Sequence, residues 1–348
     1  MAKKKNHIKK DIANISEFDA QIYAHTRNFA RAELKESEMR KWSVFQTKIF
    51  AEILSQLDWK SGGNSNVVEF DNDEFVKAVG WDLSEINARE MSRQLRKELD
   101  YMLKNSAIVV QDPVSKKYYE GHLIHEFESS SQTTTITINP KIMVHFQKLY
   151  SINAETKVSF LPFYKPDVFD FSCKFTYPLL VEFKSCCKVG GYINHHTLTT
   201  KQLKELFNLD IGAYMRDFDP VSGQYKKFDR ANFEKYVLNP AIEELNRTCM
   251  VKVLKNEDGS YYEKTKKRGK VTGYVFKYIV YDLEGMKKLK QKELENKLNE
   301  LDEKIIEKEY IHISDEDFLA FEKMIEEGIL TNQNSVDGFF YDVDNQTK

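Results

Sequence analysis

The spacing of apolar residues over residues 199–278 predicts a helix, a turn, a second helix and a β-hairpin. The first helix starts from a Thr199 cap and the second from an Asp229 cap. Every fourth residue of the second helix is apolar, namely Phe233, Val237, Ala241 and Leu245. Pro240 lies inside this pattern and predicts a kink or break. The runs MVKVLKN and GYVFKYIVY predict strands joined by a lysine-rich turn, so the whole order is typical of a winged helix.

Residues 36–150 show a similar order of elements. WSVFQTKIFAEILSQL has apolar residues at near-helical spacing, and VVEFDNDEFVKAVG predicts a short strand and a helix capped at Asp71 or Asn72. A long helix follows with Ser84 as its cap, and the runs AIVVQD, KKYYEGHLIHEFESS and TTTITINP predict strands. We interpret this region as a first winged helix, although the two regions show no repeat at the level of sequence.

These patterns divide the chain into consecutive regions and give an α+β fold class: two tandem winged-helix domains followed by a helical, acidic C-terminal extension. Polar residues and a lysine cluster near the start predict a flexible basic arm, and the region between the winged helices predicts a linker and a supporting helix with Pro178 in its first turn. The expected regions are 1–35 (arm), 36–150 (first winged helix), 151–198 (linker and supporting helix), 199–282 (second winged helix) and 283–348 (extension).

The formal net charge of −2 hides a strong asymmetry along the chain. Residues 300–348 carry a net charge of −10, which leaves +8 for residues 1–299. A basic body of this kind indicates nucleic-acid binding. Two sets of cations are candidates for that surface: one face of the first long helix, with Arg89, Arg93, Arg96 and Lys97, and the lysine-rich turn, with Lys264, Lys266, Lys267, Arg268 and Lys270.

The ordered motifs LKELFNL, NFEKYVLNPAIEELN and RGKVTGYVFKY resemble those of the Rep-type replication initiators of iteron-containing theta plasmids. The resemblance extends from about Trp42 to Val280. It implies two tandem winged helices whose monomers bind direct repeats in double-stranded origin DNA, and a homodimer, in equilibrium with the monomer, that binds an inverted repeat as an autorepressor. It also implies that the protein opens an AT-rich region, recruits host replication initiator and helicase proteins, and is not an enzyme.

The resemblance places the recognition helix near Asp229 and implies DNA contacts around it. Arg230 and Asn232 are the expected base readers, because Arg can bind guanine bidentately and Asn can bind adenine. Glu234 departs from the basic character usual there, and it either accepts a hydrogen bond from cytosine or points into solvent. Tyr236 is a further expected DNA contact, and the lysines are expected to bind phosphates, namely Lys226, Lys227 and Lys235.

The resemblance also implies DNA contacts for the cations of the first long helix and of the lysine-rich turn. The first winged helix would bind the other half of each repeat and take part in dimerisation, with its Arg and Lys face on phosphates, although a solvated helix face explains the same pattern. The lysine-rich turn would contact phosphates or the minor groove, whereas the alternative is a loop that merely maintains solubility.

Catalytic and metal chemistry find little support in the sequence. Cys173, Cys186, Cys187 and Cys249 lack the C-x-x-C spacing, which predicts reduced, mostly buried thiols, and neither His195-His196 nor HLIH has a recognised zinc spacing. RGKVTG is not a phosphate-binding loop. We therefore expect no metal, no cofactor and no enzyme activity. A transcriptional repressor without initiator activity is the alternative, followed by a rolling-circle nickase.

The N-terminal run MAKKKNHIKK is charged like the start of a signal peptide, but no apolar core follows it. No apolar run approaches the roughly 20 residues that a membrane span needs. The expectation is a cytoplasmic protein without a membrane partner.

Overall fold

A computed structural model of the chain describes residues 14–35, 37–63, 65–80, 88–209, 213–219 and 224–310. Residues 15–290 form one compact unit, which contains both winged helices. The predicted cap Ser84, residues 1–13 of the expected arm and the acidic residues from 311 onward lie outside the described residues.

Much of the expected flexible arm is instead ordered and buried, which corrects that prediction. After a 3₁₀ turn at Asn14–Gln21, strand β1 (Ile22–Thr26) is buried along its whole length, and helix α1 (Arg27–Lys35) buries one side. The next helix, α2 (Val44–Ser55), has the capping box formed by Ser43 and Gln46. The sequence of β1 does not alternate because both of its faces are covered, so the usual signal of a strand is missing.

The first winged helix follows the predicted order, except that the run KKYYEGHLIHEFESS forms two strands instead of one. Its elements are β2 (Val67–Asp71), α3 (Asn72–Ala78), α4 (Ala88–Lys104), the hairpin β3 (Ala107–Gln111) with β4 (Tyr118–His122), and then β5 (Ile124–Ser129) and β6 (Thr133–Ile138). The Asp71 side chain caps α3 by accepting a hydrogen bond from the Glu74 backbone. In the sheet, β6 lies between β2 and β5, and all neighbours are antiparallel.

The expected linker contributes to the core instead of only connecting two domains. It contains α5 (Leu149–Thr156), β7 (Phe160–Tyr164), α6 (Lys165–Phe169) and α7 (Thr176–Ser185). Strand β7 pairs with β1, so this region joins the start of the chain to its middle. Helix α7 is the expected supporting helix, it is buried over most of its length, and Pro178 lies in its first turn.

The second winged helix repeats the topology of the first. Its first elements are β8 (Ile193–Thr199), α8 (Thr200–Leu206), and the hairpin β9 (Met215–Asp219) with β10 (Gln224–Phe228). A helix in three contiguous pieces follows, and we call it helix R: α9 (Arg230–Phe233), a π-helical segment (Glu234–Leu238) and α10 (Asn239–Leu245). The sequence predicted a simple turn before helix R, so the β9–β10 hairpin corrects it.

A sheet of four strands completes the second winged helix. Its remaining strands are β11 (Val251–Val253), β12 (Tyr262–Lys267) and β13 (Lys270–Val280), after which α11 (Leu283–Tyr310) ends the described chain. Strand β13 lies between β8 and β12, as β6 lies between β2 and β5, and we call the β12–β13 hairpin the wing. One continuous apolar core includes residues from both winged helices, for example Leu95 and Tyr278. The two modules therefore share buried surface.

Candidate nucleic-acid interface

Helix R begins at a side-chain cap. The Asp229 carboxylate accepts hydrogen bonds from the Asn232 backbone at 3.4 Å and from the Asn232 side-chain amide at 2.6 Å. Arg230, next to the cap, is exposed. Of the expected base readers, Arg230 thus presents its side chain to solvent, whereas the amide nitrogen of Asn232 is held by the cap.

Pro240 is accommodated by a change of helix type. It lies in the first turn of α10, and in a regular α-helix its ring would clash with the carbonyl of Tyr236, four residues earlier. The π-helical segment widens the turn, and the Asn239 backbone N–H bonds to the Glu234 carbonyl five residues back. The predicted irregularity at Pro240 is therefore present, and helix R continues through it.

The two faces of helix R differ as the sequence predicted. The expected apolar residues are buried, and Leu238 and Ile242 join them: the buried set is Phe233, Val237, Leu238, Ala241, Ile242 and Leu245. On the opposite face Lys235 and Tyr236 are exposed, with the Lys235 ammonium 4.9 Å from the centre of the Tyr236 ring. An aromatic ring with a cation beside it can stack on a base or contact a phosphate.

The tip of the wing is a two-residue turn that carries a dense positive charge. Lys267 pairs with Lys270 across the hairpin, and the intervening Arg268 and Gly269 have φ angles of 50° and 78°. Two positive φ angles are those of a type I′ turn, where glycine at the second position avoids strain. The cations at this tip are all exposed: Lys266, Lys267, Arg268 and Lys270.

Lys264, the remaining cation of the wing, contacts helix R. Its Nζ lies 2.8 Å from Oε2 of Glu234, while Oε1 of Glu234 accepts a hydrogen bond from the Tyr274 hydroxyl at 3.1 Å. The Arg230 Nε is 3.5 Å from the same Oε1. Sequence reasoning left Glu234 either on a base or in solvent, and missed the two partners that the wing provides for it.

A second hydrogen bond connects the wing to helix R. The Tyr262 hydroxyl of β12 donates to the Asn239 side chain at 3.0 Å. Burial, followed by the charge of Glu234, raises the pKa of both Tyr262 and Tyr274 well above the ordinary value of tyrosine. Both hydroxyls therefore remain protonated at neutral pH and can act as donors.

The other expected contacts occupy two further elements. Lys226 and Lys227 lie in β10, immediately before helix R. The cations of α4 share an exposed face, and Arg93 also forms a bidentate pair with Glu90 at 2.7 and 2.9 Å. The apolar residues of α4 are buried as predicted: Met91, Leu95, Leu99 and Met102. Exposed cations are thus present on both winged helices.

The structure brings together one set of potential metal ligands that the sequence spacing did not suggest. In the part of the chain that the structure describes, the ligand atoms of Glu182, Cys186 and His196 lie within 4.8 Å of one another. The His196 Nε2 is 2.9 Å from Oε1 of Glu182, and the Cys186 Sγ is 3.6 Å from the same oxygen. The His196–Glu182 hydrogen bond joins β8 to α7 and accounts for the close approach.

None of the helices in the described ranges contains an apolar stretch of membrane-spanning length.

Comparison with known proteins gives matches for the second winged helix and for the fold. Residues 199–278 match the family model described as "Initiator Rep protein, WH2", which confirms the resemblance to Rep-type initiators on those residues. No curated protein sequence matches the chain.

Two solved structures resemble the chain to different degrees. The Pi initiator protein, crystallised in complex with iteron DNA, is 15% identical with a TM-score of 0.53, and the match covers 75% of this chain and 97% of Pi. Domains 2 and 3 of RctB are 9% identical with a TM-score of 0.35, over 68% of this chain and 81% of that one. The likeness to Pi establishes the winged-helix fold, and the likeness to RctB is too low to support an argument.

Proposed function

We propose that the protein is a replication initiator that binds tandem direct repeats in double-stranded DNA through its two winged helices. The match of residues 199–278 to the initiator family supports this proposal, as does a fold shared with a protein crystallised on iteron DNA. The charge of +8 on residues 1–299 supports a polyanionic partner.

The observation that carries the proposal is the arrangement of the second winged helix. Within the segment that matches the initiator family, exposed cations lie at the start of helix R and at the wing tip, and Glu234 joins helix R to the wing. A helix in the major groove with a basic hairpin beside it is how winged helices bind duplex DNA. We propose that Arg230 reads a guanine and that the wing-tip cations bind backbone or minor groove.

In this proposal the first winged helix binds the other half of each repeat. Its exposed cations on α4 would bind phosphates, as the wing-tip lysines would. We further propose that the protein acts without catalysis, that it opens the origin and recruits host replication initiator and helicase proteins, and that a dimer represses its own gene. A repressor that lacks initiator activity would share the DNA-binding geometry but not these later steps.

A replication assay separates these functions. The DNA on either side of the gene is joined to a marker that cannot replicate by itself, and the protein is supplied from a second plasmid. An initiator maintains the marker plasmid, and an Arg230→Ala variant maintains it poorly. If the protein represses its promoter yet never maintains the marker, the repressor alternative is correct and the initiator proposal fails.

A second assay tests the absence of catalysis. The protein is incubated with supercoiled DNA that carries the same flanking sequence, in Mg²⁺ or Mn²⁺. We expect the DNA to stay supercoiled and free of covalently attached protein. Nicked circles with protein attached to one strand would show a nickase and overturn the proposal.

A further inference from the structure

Glu234 lies between helix R and the wing and contacts side chains of both. The inference about its role rests on the proposed function. Its side chain is only 13% exposed and belongs to the first residue of the π-helical segment. A carboxylate that reads cytosine must present an oxygen to the groove. Here both oxygens are already engaged, Oε1 by Tyr274 and Arg230 and Oε2 by Lys264. Direct base reading by Glu234 is therefore disfavoured.

We infer that Glu234 is a positioning residue: it directs the Arg230 guanidinium toward the base and locks the wing to helix R. The geometry of the Arg230 contact supports the first role. The guanidinium atom nearest to the Glu234 carboxylate is Nε, at 3.5 Å. The two terminal nitrogens are the ones that bind guanine O6 and N7 in a bidentate contact, so a guanidinium held at Nε has its reading edge left for the base.

The wing contacts support the second role. Lys264 and Tyr274 are direct partners across the β12–β13 ladder, so their side chains share one face of the sheet and meet the Glu234 carboxylate together. Tyr262 lies two residues from Lys264 on the same strand and therefore on the same face, and it binds Asn239 at 3.0 Å.

The anchors at Glu234 and Asn239 bracket the π-helical segment. The wing therefore holds helix R at the beginning of this segment and at the first residue beyond it. A π-helical turn contains more residues than an α-helical turn. The segment therefore changes the angle, measured around the helix axis, between the side chains of Tyr236 and Arg230. Through Glu234, the position of the wing fixes the direction in which Arg230 reads.

The first test is a scan of a cognate repeat in which each base pair is replaced in turn, with binding measured for the wild type and for variants. Glu234→Ala and Arg230→Ala should lose discrimination at the same guanine position, each by about 10-fold, and the double variant should lose no more than either alone. Tyr274→Phe, which removes one hydroxyl, should lose discrimination at that position to a smaller extent. Glu243→Ala is the matched control, because Glu243 is an exposed glutamate of the same helix.

Three results overturn the inference in this scan. A loss at a different base pair that adds to the effect of Arg230→Ala would show that Glu234 reads a base itself. Unchanged discrimination in a folded Glu234→Ala variant would show a purely structural role. A loss of discrimination of similar size in Glu243→Ala would show that removing any negative charge from helix R is sufficient.

The second test needs no DNA, and it separates this inference from the proposed function. The Arg230 Nε–H resonance is followed by NMR in the free protein. Because the Glu234 carboxylate lies 3.5 Å from Nε, exchange of this proton with solvent should be slower in the wild type than in Glu234→Ala. Equal exchange in both proteins rejects the positioning contact, even if the wild type binds its repeat. Protected exchange together with a wild type that prefers no repeat rejects the proposed function and leaves the contact established.

Discussion

Arg230 and Lys267 are both exposed cations of the second winged helix, but their surroundings differ. Arg230 lies in the first turn of helix R with its Nε 3.5 Å from the Glu234 carboxylate. Lys267 lies at the wing tip, paired with Lys270 across a two-residue turn. A guanidinium with a fixed direction suits base recognition, whereas an ammonium on a flexible stem suits a phosphate contact.

Replacing these two residues should have different effects on DNA binding. Arg230→Ala should reduce the preference for the cognate repeat over altered repeats by about 1–3 kcal/mol. Lys267→Ala should weaken binding to all duplexes by a similar factor and reduce the slope of log affinity against log salt by about 1. Titrations at several salt concentrations measure both quantities, with Lys255→Ala as a control on an exposed lysine away from the wing tip. If both variants change the same quantity, the assigned division between base and phosphate contacts is wrong.

The contacts of Glu234 show what sequence could not supply at this scale. Its wing partners Lys264 and Tyr274 are 30 and 40 residues away along the chain, and no local spacing relates them. The two faces of α4 were predictable, because a helix places residues three and four apart on the same side. The same holds for the Thr199 cap, whose side chain accepts from the Gln202 backbone within one turn.

At the scale of elements, predictions succeeded where the signal is local and failed where the partner is distant. Helix R, the wing and the order β2, α3, α4 follow from apolar periodicity and caps, and the structure confirms them. Strand β1 was missed because its sequence does not alternate and its pairing partner β7 lies more than a hundred residues away. The β9–β10 hairpin was missed because MRDFD and QYKKF are polar and resemble loop sequence.

Alanine substitutions at Gly273 in β13 and at Gly269 in the preceding turn should lower the free energy of unfolding by different amounts. A Cβ at Gly273 would lie 2.7 Å from the backbone oxygen of Leu198 in the neighbouring strand β8, so β8 would have to move. Gly273→Ala should therefore lower the free energy of unfolding by roughly 2 kcal/mol. A Cβ at Gly269 meets nothing within 4 Å, but φ is +78°, and the strain of that conformation costs about 1 kcal/mol.

Urea unfolding of both variants measures this difference, and the Gly269→Ala protein is the matched control for the substitution itself. Gly273→Ala should also weaken DNA binding more than Gly269→Ala, because the sheet carries the Tyr274 anchor of Glu234. Equal destabilisation by the two substitutions would show that β8 does not restrain β13 at this point.

At the scale of the whole molecule, residues 15–290 combine both winged helices around one apolar core that also contains ionisable groups. Burial lowers the pKa of His25 to about 3 and of His145 to about 4, and lowers the pKa of Lys184 to about 8. Burial raises the pKa of Glu33 to about 8. These residues lie on β1, α1 and α7 and before α5, where the two modules meet, so stability there should depend on pH.

The titration of Glu33 should lower the free energy of unfolding as the pH rises from 6.5 to 8. Its pKa is raised in the folded state, so the folded chain keeps a proton that the unfolded chain releases above about pH 4.5, and increasing pH favours unfolding until about pH 8. In the same window the unfolded chain still protonates a decreasing fraction of His25 and His145, and the folded chain loses an increasing fraction of the Lys184 proton, so these three groups act in the opposite direction. The contribution of Glu33 by itself reaches about 1.4 kcal/mol per pH unit, and it is measured as the difference in pH slope between the wild type and a Glu33 variant.

Urea unfolding at pH 6.5, 7.2 and 8.0 tests this pH dependence. The Glu33→Gln variant imitates the protonated side chain, so its free energy of unfolding should increase with pH relative to that of the wild type between pH 6.5 and 8. Glu38→Gln, which removes a partly exposed carboxylate paired with Lys41, serves as the control and should keep the wild-type pH slope. A wild type and a Glu33→Gln variant with the same pH slope would show that Glu33 titrates normally in the folded protein.

The central claim is that the two winged helices of one chain bind one repeat together. Hydroxyl-radical footprinting of the full-length protein, on a duplex with a single direct repeat from the DNA beside its gene, tests this most directly. We expect protection at two successive major grooves on one face of the duplex, about 10 base pairs apart, and an unprotected scrambled duplex. Protection confined to a single groove, or equal protection of the scrambled duplex, would contradict the claim.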